Sequence, residues 1–189
     1  LARTFLDASA SRGGMVPSHA LIVPLADICE IESLAPLFER LASSPADCSA
    51  SLSPFEFDAT NTRRPPAADL TGTANALTGQ GPAPVVRLGV EGFEHLVGSL
   101  WQNFWPALRR TFAFRLSFGP SDVVEQPLPT LVCTPEQLQA RWSKHRLVNP
   151  DDQAPTSEAA ACISGQRNAT PIFALATDLG LEVQSLKEL

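Results

Sequence analysis

Chemistry in this chain would have to start from a few residues. His19 stands at the head of an apolar run, with Ser18 beside it, in the stretch SRGGMVPSHALIVPLAD. A histidine there can act as a general base, but no Asp or Glu lies at a telling spacing to orient it, and no G-x-S-x-G nucleophile turn is present. Arg12-Gly13-Gly14 can form a backbone nest for an anion, with Arg12 adding charge. Phosphate loops, however, lie between a strand and a helix, and these glycines precede a strand. The plainer readings are a histidine satisfied at a strand end and a glycine turn with a surface arginine.

Cys133 is the sharpest nucleophile candidate. It lies just before the helix-start pattern Thr134-Pro135, where a helix dipole lowers a thiol pKa. A phosphatase loop needs Arg six positions later, and residue 139 is Gln139. A thioredoxin motif needs a second Cys at 136, which is Glu136. Both uses fail, leaving a core thiol as the plainer reading. Cys29, Cys48, Cys133 and Cys162 are widely separated, without the C-x-x-C pair that zinc sites carry. They read as reduced, mostly buried thiols of a cytoplasmic protein, with no metal and no cofactor. Arg63-Arg64 and Arg109-Arg110, with Arg115 near the second pair, are small basic spots suited to the rim of a protein contact, or simply solvated.

Bulk composition narrows the function classes. The 189 residues suffice for one well-cored domain, with 44% hydrophobic and only 18% charged residues. Net charge is −6 and no basic block exceeds two residues, which argues against nucleic acid and anionic membrane surfaces as partners. Apolar runs fall far short of the roughly 20 residues of a membrane span. No secretion signal opens the chain. It starts at Leu1 without a methionine and stops within LEVQSLKEL, so a longer protein is expected.

The elements that must hold these residues follow from periodicity. Residues 18–27 predict a buried strand, with Pro24 at its end. Ile31, Leu34, Leu37, Phe38 and Leu41 predict a helix that Pro36 kinks or restarts. Residues 58–84, rich in Pro, Gly, Ala and Thr, show no period and predict a long irregular loop. PFEFD, just before, is a candidate minor strand. PVVRLGV predicts a strand, and Phe93, Leu96, Val97, Leu100, Trp101, Phe104 and Trp105 form one helix face stopped by Pro106. In TFAFRLSFG, Phe112, Phe114, Leu116 and Phe118 alternate as the core face of a strand. Leu131 to Cys133 predicts another, followed by a helix over 135–146 that Thr134 and Gln137 cap as a box. Trp101, Trp105 and Trp142 read as core or interface residues. A second Thr-Pro start opens a helix with Ile172, Leu175, Ala176 and Leu179 on one stripe and Gly180 as its stop.

The resulting expectation is an α+β fold, with a mostly antiparallel or mixed sheet and helices packed on one face. Residues 1–148 form the core domain, 149–157 a linker, and 158–189 a helical segment that opens a further region.

One stretch carries a family resemblance. ARTFLDASASRGGMVPSHALIVPLADI resembles the N-terminal domain of bacterial GTPase-associated proteins, which are encoded beside GTPases in NTP-dependent conflict (defence) systems. The matching positions are Arg3, Thr4, Phe5, Asp7, Arg12, Gly13, Gly14 and His19. LWQNFWPALRRTFAFRLSFGPSD and TLVCTPEQLQARWSKHRLV resemble later segments of the same domain, so the likeness spans most of residues 2–148. It brings no catalytic assignment. What it implies is a non-enzymatic scaffold or regulator whose partner is a GTPase or other NTPase. The alternative is a domain that senses or hydrolyses a small molecule or nucleotide, using Arg12 and His19 with Cys133 as an optional third. That alternative requires those side chains to converge in one concave site.

Overall fold

The computed structural model describes residues 1–6, 16–48, 65–181 and 183. The chain divides into two compact units, Leu1–Thr62 and Arg63–Leu189. PFEFD and residues 58–64 lie outside the described residues.

In the first unit, β1 (Ala2–Thr4) pairs antiparallel with β2 (Ser18–Ala20), placing Ala2 opposite Ala20, Arg3 opposite His19 and Thr4 opposite Ser18. Two short helices follow, α1 (Leu25–Glu30) and α2 (Ala35–Arg40). Leu21, Cys29, Leu34, Leu37 and Leu41 form the core of this unit. The expected buried strand over 18–27 is cut to three residues, and Ile22 is 98% exposed. Pro24 accounts for this: it has no N–H for a ladder, and its carbonyl instead accepts the Ile28 N–H that opens α1. Pro36 lies in the first turn of α2, restarting the helix as expected.

The second unit is built on a four-stranded sheet of order β4-β5-β3-β6, formed by β3 (Val85–Leu88), β4 (Phe114–Leu116), β5 (Leu131–Thr134) and β6 (Arg146–Leu147). Every pairing in it is parallel. The chain is thus α+β with both strand directions, but they occupy separate sheets, and the larger sheet is neither antiparallel nor mixed. Parallel neighbours need long crossovers. Here α4 (Phe93–Asn103) and α5 (Pro106–Thr111) separate β3 from β4, and a 3-10 helix (Glu136–Trp142) separates β5 from β6. Leu131, Val132, Cys133 and Thr134 are all fully buried, and successive strand residues point to opposite faces, so both faces of β5 are covered.

Three further expectations are corrected. Residues 70–78, expected to be irregular, form the helix α3 (Leu70–Thr78), which packs on α6 (Glu158–Ile163). In TFAFRLSFG only Phe114–Leu116 is strand; Leu116 and Phe118 are exposed while Ser117 is buried with its N–H still bonded to Cys133 O of β5 at 2.9 Å, so the end of this edge strand turns the face opposite to the expected one inward. The helix expected over 135–146 is a 3-10 helix with no side-chain cap. Thr134 is the buried last residue of β5, the N-cap position falls to Pro135, and the Thr134 hydroxyl accepts the Trp142 indole N–H at 3.2 Å. The last helix, α7 (Thr170–Asp178), ends as expected. Gly180 takes φ +66°, and Leu181 N–H reaches back to Ala176 O at 2.8 Å.

Candidate functional site

Directly opposed residues on an antiparallel pair project to the same face. On β1 and β2 the pair Arg3 and His19 takes the covered face, while Ala2, Thr4, Ser18 and Ala20 are not buried. Behind that face runs the end of α2. Arg3 donates from Nη1 to Ala42 O at 2.8 Å and to Leu41 O at 3.2 Å, and from Nη2 to Phe38 O at 3.3 Å. A planar guanidinium suits this task, since its fork spans several of the carbonyls a helix C-terminus leaves open. Ala42 N–H in turn donates to His19 Nδ1 at 2.7 Å.

That last bond fixes the histidine tautomer. Nδ1 must carry its lone pair toward Ala42, so a neutral ring holds its proton on Nε2. His19 is 8% exposed, and Nε2 is buried with no hydrogen-bond partner among the described residues. A general base needs a free lone pair, and this ring has already used its own. The geometry makes His19 and Arg3 a brace for residues 38–42.

Arg12, Gly13, Gly14, Arg63 and Arg64 lie outside the described residues. Arg109 is 6% exposed, with Nε donating to Trp101 O at 3.2 Å and the guanidinium 5.7 Å from the centre of the Trp101 ring. Arg110, at the end of α5, is exposed. His19 and Cys133 belong to different compact units.

Cys133 sits in the middle of the parallel sheet, beside Arg87 in register. It is fully buried, and its thiol donates to Gly89 O at 3.1 Å. Burial pushes the thiol pKa up, and the Arg87 guanidinium beside it only partly opposes that. A protonated, covered thiol is not a nucleophile. Arg87 is committed elsewhere, with Nε donating to Asp69 at 2.8 Å and the guanidinium also donating to Gly89 O. The Asp69–Arg87–Cys133 group escapes a motif search because its members have no regular spacing. The available signal was an arginine inside the apolar run Val85-Val86-Arg87-Leu88, which must find a carboxylate when covered.

Among the described residues no group of three or more His, Cys, Asp or Glu is arranged to hold a metal ion, and no helix is long and apolar enough to cross a membrane. All four cysteines are free thiols. Trp101 and Trp142 are core residues, whereas Trp105 is half-buried.

Residues 1–41 match the family model for GTPase-associated protein 1, N-terminal domain type 1. The matched stretch contains β1, β2, α1, α2 and both members of the brace, and it stops one residue short of Ala42. No curated protein and no solved structure matches the chain.

Proposed function

We propose that this chain is a non-enzymatic interaction module that works with a GTPase or other NTPase, as a scaffold or regulatory part of a cytoplasmic bacterial defence assembly. The observation that carries this reading is the match of residues 1–41 to a GTPase-associated N-terminal domain. Side-chain chemistry supports it. The histidine of the matched segment spends its lone pair on a backbone N–H, and the best-placed cysteine is a covered thiol. Protein contact, without nucleic acid or membrane, also suits a lightly charged chain of net charge −6. Arg63, Arg64 and Arg110 are the cations we assign to the contact rim; Arg109, from the same predicted set, serves the interior beside Trp101.

One observation favours a second reading. The buried His19 Nε2–H has no acceptor among the described residues, which is what a small-molecule site built from Arg12, Gly13, Gly14 and His19 would show. Affinity purification of the full-length protein from its native host, followed by mass spectrometry, separates the two. Stoichiometric recovery of a GTPase or other NTPase is the expected result. A protein that returns alone, carrying a nucleotide or metabolite, would overturn the scaffold reading in favour of the ligand site.

A further inference from the structure

The strand pair of the first unit spends one face on α2 and leaves the other exposed. His19 and Leu21 are buried on the inner face, with Leu1 and Leu21 closing the ladder: Leu21 N–H donates to Leu1 O at 2.8 Å, and the Leu1 nitrogen donates to Leu21 O at 2.9 Å. Successive strand residues alternate in direction, so Ala20 and Ile22 project with Ala2 from the outer face. All three are exposed, Ile22 at 98%. Pro24, Leu25 and Ala26 carry this apolar surface on into α1, with Leu25 57% exposed. Single exposed apolar residues are ordinary, but a contiguous run of them marks a contact surface.

The rim of this surface carries one sign of charge. Asp27 and Glu30 are exposed on α1, three residues apart and so on one side of it. Neither pairs with a cation among the described residues. Residues 16–39 hold Asp27, Glu30, Glu32 and Glu39 but no lysine or arginine. A second copy of this chain would bring two such rims together across a two-fold contact, where like charges repel. Nucleic acid and anionic membrane are repelled in the same way. What the surface fits is a protein pocket with an apolar floor and lysine or arginine at its edge. It lies wholly within residues 1–41, the stretch that matches the GTPase-associated domain.

We propose that Ile22 and Leu25 are the apolar anchors of a docking surface on the first unit, and that its occupant is the partner GTPase or other NTPase, through an apolar pocket edged by lysine and arginine. The inference rests on the scaffold reading and adds to it the surface used and the chemistry of the partner. Backbone bonds hold both anchors in place. Leu21 is tied into the ladder on one side, and Pro24 O accepts the Ile28 N–H at 3.1 Å on the other, so docking orders little that is not ordered already.

The test uses the full-length protein and the GTPase or NTPase that the wild type recovers from its native host. Ile22→Ser and Leu25→Ser should each weaken that complex about tenfold or more. Asp27→Lys combined with Glu30→Lys should slow association about tenfold, and rising salt should slow the wild type but not this variant. The urea midpoint of Ile22→Ser should match the wild type, because an exposed side chain supports nothing in the free chain. Equal binding by wild type and Ile22→Ser, or an association rate unchanged by charge reversal, overturns the docking surface and leaves the scaffold reading standing. Recovery of no GTPase or NTPase by the wild type overturns both. A lowered urea midpoint in Ile22→Ser would show that the chain itself covers Ile22, and a wild-type dimer that Ile22→Ser dissociates would show that a second copy does. Either result overturns the docking surface.

Discussion

Arg3 and His19 face each other across β1 and β2 and grip opposite ends of the same residue: Arg3 donates to Ala42 O at 2.8 Å, and Ala42 N–H donates to His19 Nδ1 at 2.7 Å. The two side chains with the strongest chemical potential in the first unit thereby close the α2 exit onto the strand pair. A two-stranded ribbon is marginal alone. Here it is stabilised by what it holds.

The histidine half of this clamp has a measurable value. His19→Ala leaves the Ala42 N–H without its acceptor in a covered site, which should cost about 1–3 kcal/mol. The Ala42 amide should then exchange at least tenfold faster in hydrogen-exchange experiments. His19→Asn, which offers an acceptor oxygen, should recover part of the loss. An Ala42 amide as protected in His19→Ala as in the wild type would mean that the clamp does not exist.

Sharing one residue should couple the two grips. Arg3→Lys replaces a planar fork with a point donor that cannot reach three carbonyls together, and should lose about 1 kcal/mol. In a double-mutant cycle with His19→Ala, read by urea denaturation, the coupling should be about 0.5 kcal/mol or more. Effects that simply add would show that the two side chains act independently.

Cys133 makes a prediction with a definite sign. Its pKa lies above the ordinary thiol value of 9.0 in the folded chain, chiefly through burial. Between 9.0 and the raised value the unfolded chain has lost the thiol proton while the folded chain keeps it. Stability therefore falls as pH rises through that window; below 9.0 both states hold the proton and the thiol adds no slope. Few other groups titrate there, since the chain has no tyrosine and its lysines are Lys144 and Lys187. Cys162, however, is raised by burial too and adds a fall of the same sign. Urea midpoints should fall as the pH rises above about 9. The fall should be shallower in Cys133→Ala, whatever that variant loses at neutral pH. Thiol titration should agree: half-buried Cys48 reacts in the native protein, while Cys29, Cys133 and Cys162 react only in denaturant.

Periodicity was a good guide where large side chains carry the pattern. Val85–Leu88 is a strand, and Leu96, Val97, Leu100, Trp101 and Phe104 bury the helix face their spacing marks, with Pro106 ending one helix and opening the next. It failed in LTGTANALT, where Leu70 and Leu77 are the only large apolar residues. The rest of the covered face is Gly72, Thr73 and Ala74, kept small because residues 149–152 and α6 come so close. Capping grammar failed at Thr134 because β5 runs through that residue and the N-cap position falls to Pro135. The brace was hidden for a different reason. Arg3 and His19 bind backbone groups of residues 38–42, and a backbone carbonyl or amide leaves no trace in the order of side chains.

Two glycines in helices should respond in opposite ways to the same substitution. At Gly72 an added Cβ would lie 1.8 Å from Asn149 O, so α3 and the 149–157 segment must part to admit a methyl group. That segment is otherwise pinned to α3 by Asn75, which donates to Asp152 at 3.0 Å and accepts Thr156 N–H at 2.8 Å. Gly72→Ala should destabilise by about 3 kcal/mol, the upper range for overpacking. It should also speed exchange of the Thr156 amide. At Gly98, inside α4, a Cβ would meet no atom within 4 Å. Gly98→Ala should stabilise by about 0.5–1 kcal/mol through reduced freedom of the unfolded chain. Urea midpoints of the two variants should move to opposite sides of the wild type. Movement in the same direction would mean that the close approach of residue 149 to α3 is not present in solution.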